Sequence, residues 1–313
     1  MQTRRRFIRQ VTAMSSIALL PSAFIKPGFA MANSAHSRPF CDGDLWSLTD
    51  GQLSLPLGLV VPDSIDPAER MAFLQSHQLG PDRFTPDCNL TLWRQGARVI
   101  LFDTGAGTQF PAGGGQLAES LAAASIDPSE ITDVVFTHAH PDHLWGVLDD
   151  FDDLAFPEAH YHLPEVEWNY WMDANTLDRT PDARKSFVVG AQNRLPLLSE
   201  KVTLFRSGDE VLPGVEAVDT RGHTPGHTSF MLHSGSESVL VVGDALTNVA
   251  ISFERPRWPS GNDQDPIAGV ETRLALLDRL VNDKTMLLGF HLPAPGIGYV
   301  ERADGAYRFV SDV

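Results

Sequence analysis

The stretch Thr137-His-Ala-His-Pro-Asp-His-Leu-Trp-Gly146 constrains this chain more than any other, because it sets three histidines and a carboxylate within six positions. Just before it, the apolar run from Ile131 to Phe136 reads as a short buried strand. Side chains two apart at a strand end point the same way, so His138 and His140 converge on one point. Pro141 stops the strand and turns the chain, which lets Asp142 and His143 face a second point nearby. Neutral imidazoles and a carboxylate suit divalent transition metals of the zinc type. Two ligand pairs from one loop therefore point to two adjacent ions. A lone His-x-His pair is often accidental; the full pattern behind a buried strand is far more specific.

Completing two such sites needs ligands at the ends of later strands, and three candidates stand there. In Gly222-His-Thr-Pro-Gly-His-Thr228 two histidines, His223 and His227, bracket a Pro-Gly turn. The apolar run from Val239 delivers Asp244 after a glycine, and the run from Met286 delivers His291. The same grammar recurs each time: a buried strand, a ligand, a turn. Upstream, the strand expected over Arg98 to Phe102 ends in Asp103-Thr-Gly105, which puts a carboxylate at the same sheet edge. Asp103 is expected to accept a hydrogen bond from a ligand histidine.

The remaining pattern supports one domain of mixed sheets with outer helices, covering residues 33–313. Leu45 to Leu48 and Gln52 to Leu57 read as two strands joined by a hairpin turn at Asp50-Gly51. Residues 33–39 read as a flexible leader. Helices are expected near Ala68 to Gln75, over Gln116 to Ala124, from Pro164 through Trp171, over Asp182 to Leu195, and from Asp265-Pro266 with apolar residues at helical spacing. Further strands are expected at Asn89 to Arg94, Ala159 to Leu163, Val202 to Phe205, Val215 to Asp219, Ser229 to Leu232 and Val239 to Val242. The glycine-rich loop from Gly105 to Gly115 lacks the Gly-Lys-Ser/Thr ending of a phosphate cradle.

Charge narrows the partners. The chain carries 24 basic and 40 acidic residues, a net −16. Its first 32 residues hold five basic residues and no acidic one, so the remainder is more acidic still. Such a surface repels nucleic acid and anionic membranes and favours neutral or cationic small substrates. Thr3-Arg-Arg-Arg-Phe-Ile-Arg9 resembles a twin-arginine export signal, followed by a short apolar region and an Ala30-Met31-Ala32 cleavage site. Residues 1–32 are thus expected to be a signal peptide read by the twin-arginine translocase. The mature protein is expected to be exported folded to the periplasm or beyond, with no membrane span. An oxidising compartment permits a disulfide between Cys41 and Cys88, and a buried free thiol is the other reading.

Taken in order, these motifs resemble the metallo-β-lactamase superfamily of binuclear hydrolases over nearly all of the mature chain. The resemblance implies an α+β fold, a four-layer αββα sandwich of two mixed sheets with the site at one edge. Carried over by motif, His138, His140 and His227 hold the first metal, Asp142, His143 and His291 the second, and Asp244 bridges both. His223 then matches the non-ligand histidine of the turn and holds the loop. Two zinc-type ions are implied, sharing a hydroxide that attacks the substrate, with Asp142 orienting it. The run from His291 to Tyr299, together with Tyr307-Arg-Phe-Val310, resembles more narrowly the methyl parathion hydrolase-like branch. That branch includes enzymes acting on organophosphate triesters, lactones and aryl esters, and its aromatic pocket maps onto Phe110, Trp171 and Phe187. The chain departs from the branch around Arg255 to Asp265. The function implied is hydrolysis of a small neutral ester-type substrate. Alternatives are an acyl-homoserine lactonase, a β-lactam or thioester hydrolase, and a non-catalytic metal-binding protein. A homodimer is left open.

Overall fold

A computed structural model of the chain describes residues 35–61, 64–80 and 82–312. The expected signal peptide and its cleavage site lie outside the described residues. The first half runs β1 (His36–Phe40), β2 (Gly43–Gln52), β3 (Leu55–Pro56), α1 (Pro67–Ser76), β4 (Arg83–Phe84), β5 (Asp87–Gln95) and β6 (Arg98–Phe102). It continues through α2 (Leu117–Ala123), β7 (Asp133–Val135), α3 (Pro141–Leu144), β8 (His160–Pro164), α4 (Glu165–Met172), α5 (Thr176–Arg179), α6 (Lys185–Arg194) and β9 (Val202–Phe205). The second half holds β10 (Glu210–Leu212), β11 (Val215–Asp219), β12 (Thr228–Ser234), β13 (Glu237–Val241), α7 (Pro266–Asp283), β14 (Met286–Leu288), β15 (Ile297–Ala303) and β16 (Ala306–Ser311).

Two seven-stranded sheets result, ordered β1-β2-β5-β6-β7-β8-β9 and β10-β11-β12-β13-β14-β15-β16. Both are mixed: β6 to β9 pair in parallel in the first, and β13 with β14 in the second. Alternation along each strand sends successive side chains to opposite faces. Ile100 and Phe102 therefore meet Phe230, Val239 and Val241 in the core between the sheets. Val99 and Leu101 face the other way, onto Leu117, Leu144 and Val188 of the outer helices α2, α3 and α6. On the far side, Leu240 and Leu287 pack against Leu276, Leu277 and Leu280 of α7. That stacking is the αββα sandwich. Phe102 and Phe230 touch across the inner layer with ring centres 5.5 Å apart, and each such buried side chain contributes about 1.5–3 kcal/mol by leaving water.

Two local expectations are overturned. No hairpin forms at Asp50-Gly51; β2 runs straight through, with a register shift between Thr49 and Gly51. Asp50 is buried instead, and its carboxylate accepts the backbone N–H groups of Ala106 and Leu117 at 2.8 Å and Gly115 at 3.0 Å. It serves as the anchor of the glycine-rich loop. The segment read as a flexible leader also forms structure, since β1 pairs with β2 from His36 to Phe40. The two cysteines remain apart as free thiols, Cys41 exposed and Cys88 buried. Among the described residues, no helix is long and apolar enough to cross a membrane.

Candidate metal centre

The sheet order brings five strand ends to one edge. Asp103 follows β6, the loop from Thr137 to His143 follows β7, the histidine turn precedes β12, and Asp244 and His291 follow β13 and β14. Asp103 takes a left-handed backbone (φ 63°), which turns its carboxylate back under the β7 loop. There it accepts the Thr137 N–H and hydroxyl, both at 2.8 Å, and sits 2.8 Å from His143 Nδ1. With Nδ1 donating to Asp103, His143 aims Nε2 into the cluster.

Two sets of donor atoms face one another there. In the first, His138 Nε2 lies 3.0 Å from His140 Nδ1, which lies 2.9 Å from His223 Nε2, and His223 Nε2 lies 3.2 Å from Asp244 Oδ2. In the second, His291 Nε2 lies 3.1 Å from Asp142 Oδ2 and 3.4 Å from Asp244 Oδ2, while His143 Nε2 lies 3.2 Å from Asp244 Oδ1. Asp244 thus offers an oxygen to both. Four-coordinate zinc with Zn–N of about 2.0–2.1 Å places its ligand atoms about 3.3 Å apart, and these spacings fall within a few tenths of that. His143 Nε2 and Asp244 Oδ1 are buried and face each other, 3.2 Å apart, and a shared cation would satisfy both lone pairs at once. The residues fit two cations.

The electrostatics divide the same way. Burial, then the neighbouring histidines, holds His138 and His140 well below the ordinary imidazole range. Burial opposes charge on His143 too, yet Asp244, Asp103 and Asp142 outweigh it and push the imidazole up to about 10. His291 is likewise driven upward against its burial by Asp244 and Asp142. For Asp244, burial is outweighed by His291, His143 and His223, which hold the carboxyl well below its usual range. Buried lone pairs facing buried carboxylates select for positive charge between them.

The histidine turn corrects the motif-based assignment. His227 does not face the cluster: its Nε2 accepts the backbone N–H of Asp244 at 2.9 Å, and its Nδ1 lies 2.9 Å from Thr220 Oγ1. Both ring nitrogens are used, so it has no lone pair left for a metal. Burial pushes it down to about 3. His223, expected to be structural, instead points its Nε2 into the donor set beside His138 and His140. Gly243, with φ 52°, allows the close approach, since a Cβ there would fall 2.7 Å from His227 Nε2.

Two further acids hold the geometry. Glu167 of α4 is completely buried and accepts N–H groups from Ala139 at 3.1 Å, Gly226 at 2.8 Å and the Trp171 indole at 2.6 Å. It clasps the first histidine loop to the second. Asp263, delivered by the segment where the chain departs from the methyl parathion hydrolase-like pattern, lies 3.5 Å from His223 Nδ1 and 3.0 Å from Arg273.

The expected aromatic pocket is partly redrawn. Phe110 and Phe187 line a cleft of about 490 Å³ together with His140, Asp142, His223, Asp244 and His291. Leu53, Leu55, Pro56 and Leu59 form its apolar wall. Trp171 is buried, gives its N–H to Glu167, and borders a second chamber behind His140.

The fold and this site define a class: the metallo-beta-lactamase superfamily, whose family model matches residues 85–290. The chain belongs to that superfamily and is a metal-binding hydrolase. Among solved structures it is similar to AidC, described as a dizinc quorum-quenching lactonase, at 26% identity and TM-score 0.82 over 90% of this chain and 98% of that one. It is also similar to AbOPH, described as a hydrolase in the beta lactamase superfamily, at 26% identity and TM-score 0.81 over 88% and 97%. In sequence, an N-acyl homoserine lactonase of Bacillus sp. is 24% identical over 162 residues, 51% of this chain and 53% of that protein.

Proposed function

We propose that this protein is a dinuclear zinc-type hydrolase that cleaves the ester bond of a largely apolar ester or lactone. The observation that carries the reading is the cleft of about 490 Å³, where both donor sets meet a wall of Leu53, Leu55, Phe110 and Phe187. The ions would be held by His138, His140 and His223 on one side and Asp142, His143 and His291 on the other, with Asp244 between them. When bound, such cations polarise a carbonyl and lower the pKa of water. The chain supplies the rest. Asp142, facing the cleft, accepts a hydrogen bond from the attacking water and fixes its line of approach. The apolar wall holds the acyl part and keeps bulk water from the reacting carbon. Glu167, Asp103 and His227 keep the donors in place, so little reorganisation accompanies the reaction.

A lactone substrate is favoured within this reading by the likeness to AidC and to the Bacillus lactonase. The methyl parathion hydrolase-like branch, with phosphotriesters as substrates, is supported by the C-terminal motifs alone. Export of the folded protein through the leader in residues 1–32 completes the proposal. The test is a panel of aryl esters, acyl-homoserine lactones and phosphotriesters, run before and after metal removal with a chelator. Hydrolysis of an ester or lactone, lost with the metal and restored by zinc, is expected. Unchanged hydrolysis after metal removal, or no turnover across the panel with two metals bound, would overturn the proposal.

A further inference from the structure

Arg184, at the start of α6, borders the reactive cleft and also the second chamber, of about 450 Å³, which reaches His140 from behind. It is partly buried. Among the described residues its hydrogen-bond partners are the backbone oxygens of Gly261 and Asn262. Three other cations of this region are neutralised: Arg179 by Asp173 at 2.5 Å, Lys185 by Asp182 at 2.7 Å and Arg273 by Asp263 at 3.0 Å. Among the described residues, Arg184 alone of these four has no carboxylate in direct ion-pair contact. In a chain of net charge −16, that is the reverse of what surface composition leads one to expect. Asp263, which also lines the second chamber, is the carboxylate whose field reaches Arg184, but it is already ion-paired to Arg273 at 3.0 Å and lies 3.5 Å from His223 Nδ1; a partly buried guanidinium is ordinarily paired directly. Two carbonyls satisfy only part of its five-donor fork, whose planar geometry matches a carboxylate.

We propose that Arg184 is a specificity-determining residue that selects esters or lactones bearing a carboxylate remote from the reacting carbonyl. The apolar wall holds the intervening chain, and the guanidinium receives the charged end. This rests on the ester-hydrolase reading and revises the neutral substrate inferred from overall charge.

The test compares two phenyl esters on the zinc-loaded protein: phenyl hydrogen glutarate, and its neutral isostere with an isopropyl group in place of the carboxylate. A charge-assisted hydrogen bond is worth about ten- to hundredfold. In Arg184→Gln, the ratio of kcat/KM for the anionic over the neutral ester should fall by about tenfold or more, chiefly through KM. The neutral ester should keep its rate, and Arg184→Lys should restore part of the preference. A ratio unmoved in Arg184→Gln, or an equal loss on both esters, overturns the inference while leaving ester hydrolysis intact. If Arg184→Gln does not fold, salt decides: the wild-type ratio must fall as ionic strength rises, and a flat ratio overturns the inference. If the wild type cleaves neither ester, the inference falls; if it cleaves no member of the wider panel, the hydrolase reading falls with it.

Discussion

His227 Nε2 accepts the backbone N–H of Asp244 across 2.9 Å, so one histidine fixes the residue that faces both donor sets without itself joining either. His223, four positions earlier, is the one whose Nε2 joins the donor set. The two should therefore separate cleanly by mutation. His223→Ala is expected to lower bound metal from two ions toward one and to reduce turnover at least about a hundredfold, since a donor is lost outright. His227→Ala is expected to retain two ions but lose about 1–3 kcal/mol of stability, because it leaves the Asp244 N–H buried and unpaired. Metal analysis beside thermal unfolding checks both, and the opposite pattern would return His227 to the ligand set.

Glu167 is pushed up by burial, and its bonds to Ala139, Gly226 and Trp171 all run from donor to carboxylate. Glu167→Gln keeps the shape but turns an amide N–H against one of those donors. A loss of about 2–3 kcal/mol is expected, with weakened metal retention in a chelator titration. A variant as stable as wild type would show the clasp to be dispensable.

Asp133, whose Oδ1 lies 2.9 Å from His162 Nε2, gives a pH signature away from the centre. Burial alone would raise its carboxyl, but the hydrogen bonds from His162 and Thr132 outweigh that and hold it below the ordinary value. A depressed carboxylate adds stability above its unfolded pKa, about 3.9, and gives it up as pH falls through the folded value. Asp133→Asn should cost about 1–2 kcal/mol near neutrality. The gap from wild type should close as pH falls below about 4. Denaturant titrations at several pH values measure it; a gap constant with pH would contradict this account.

Thiol chemistry is expected to be one-sided. Cys41 is exposed, whereas burial pushes Cys88 up to about 12, where thiolate is scarce. Alkylation of the native protein should label Cys41 alone, with Cys88 reacting only after unfolding. Peptide mapping decides; rapid labelling of Cys88 in the native state would contradict its burial.

Much of the centre was readable from the chain because its side chains sit directly after buried strands. There, β-branched and aliphatic runs announce the strand, and the next polar residue marks its end. The sheets and α7 were legible for the same reason, with the Asp265-Pro266 cap marking the helix start. What escaped is what depends on distant partners. Which histidine of the Pro-Gly turn faces inward depends on the Asp244 N–H, 17 positions downstream of His227, which the turn's own residues do not announce. Asp50 beside Gly51 has the look of a turn, whereas its role lies with N–H groups 56 and 67 positions away. Glu167 in the first turn of a helix passes for ordinary dipole compensation. Its burial comes from packing between two loops that the sequence keeps far apart.

One consequence of Glu167 reaches beyond its hydrogen bonds. Ala139 belongs to the loop leaving the first sheet and Gly226 to the turn entering the second, so this single carboxylate rivets the two halves of the sandwich beside the reaction chamber. The polypeptide itself thus holds the two histidine loops together. Stripping the ions should leave a receptive, folded apoprotein that reloads quickly, with no refolding step in between.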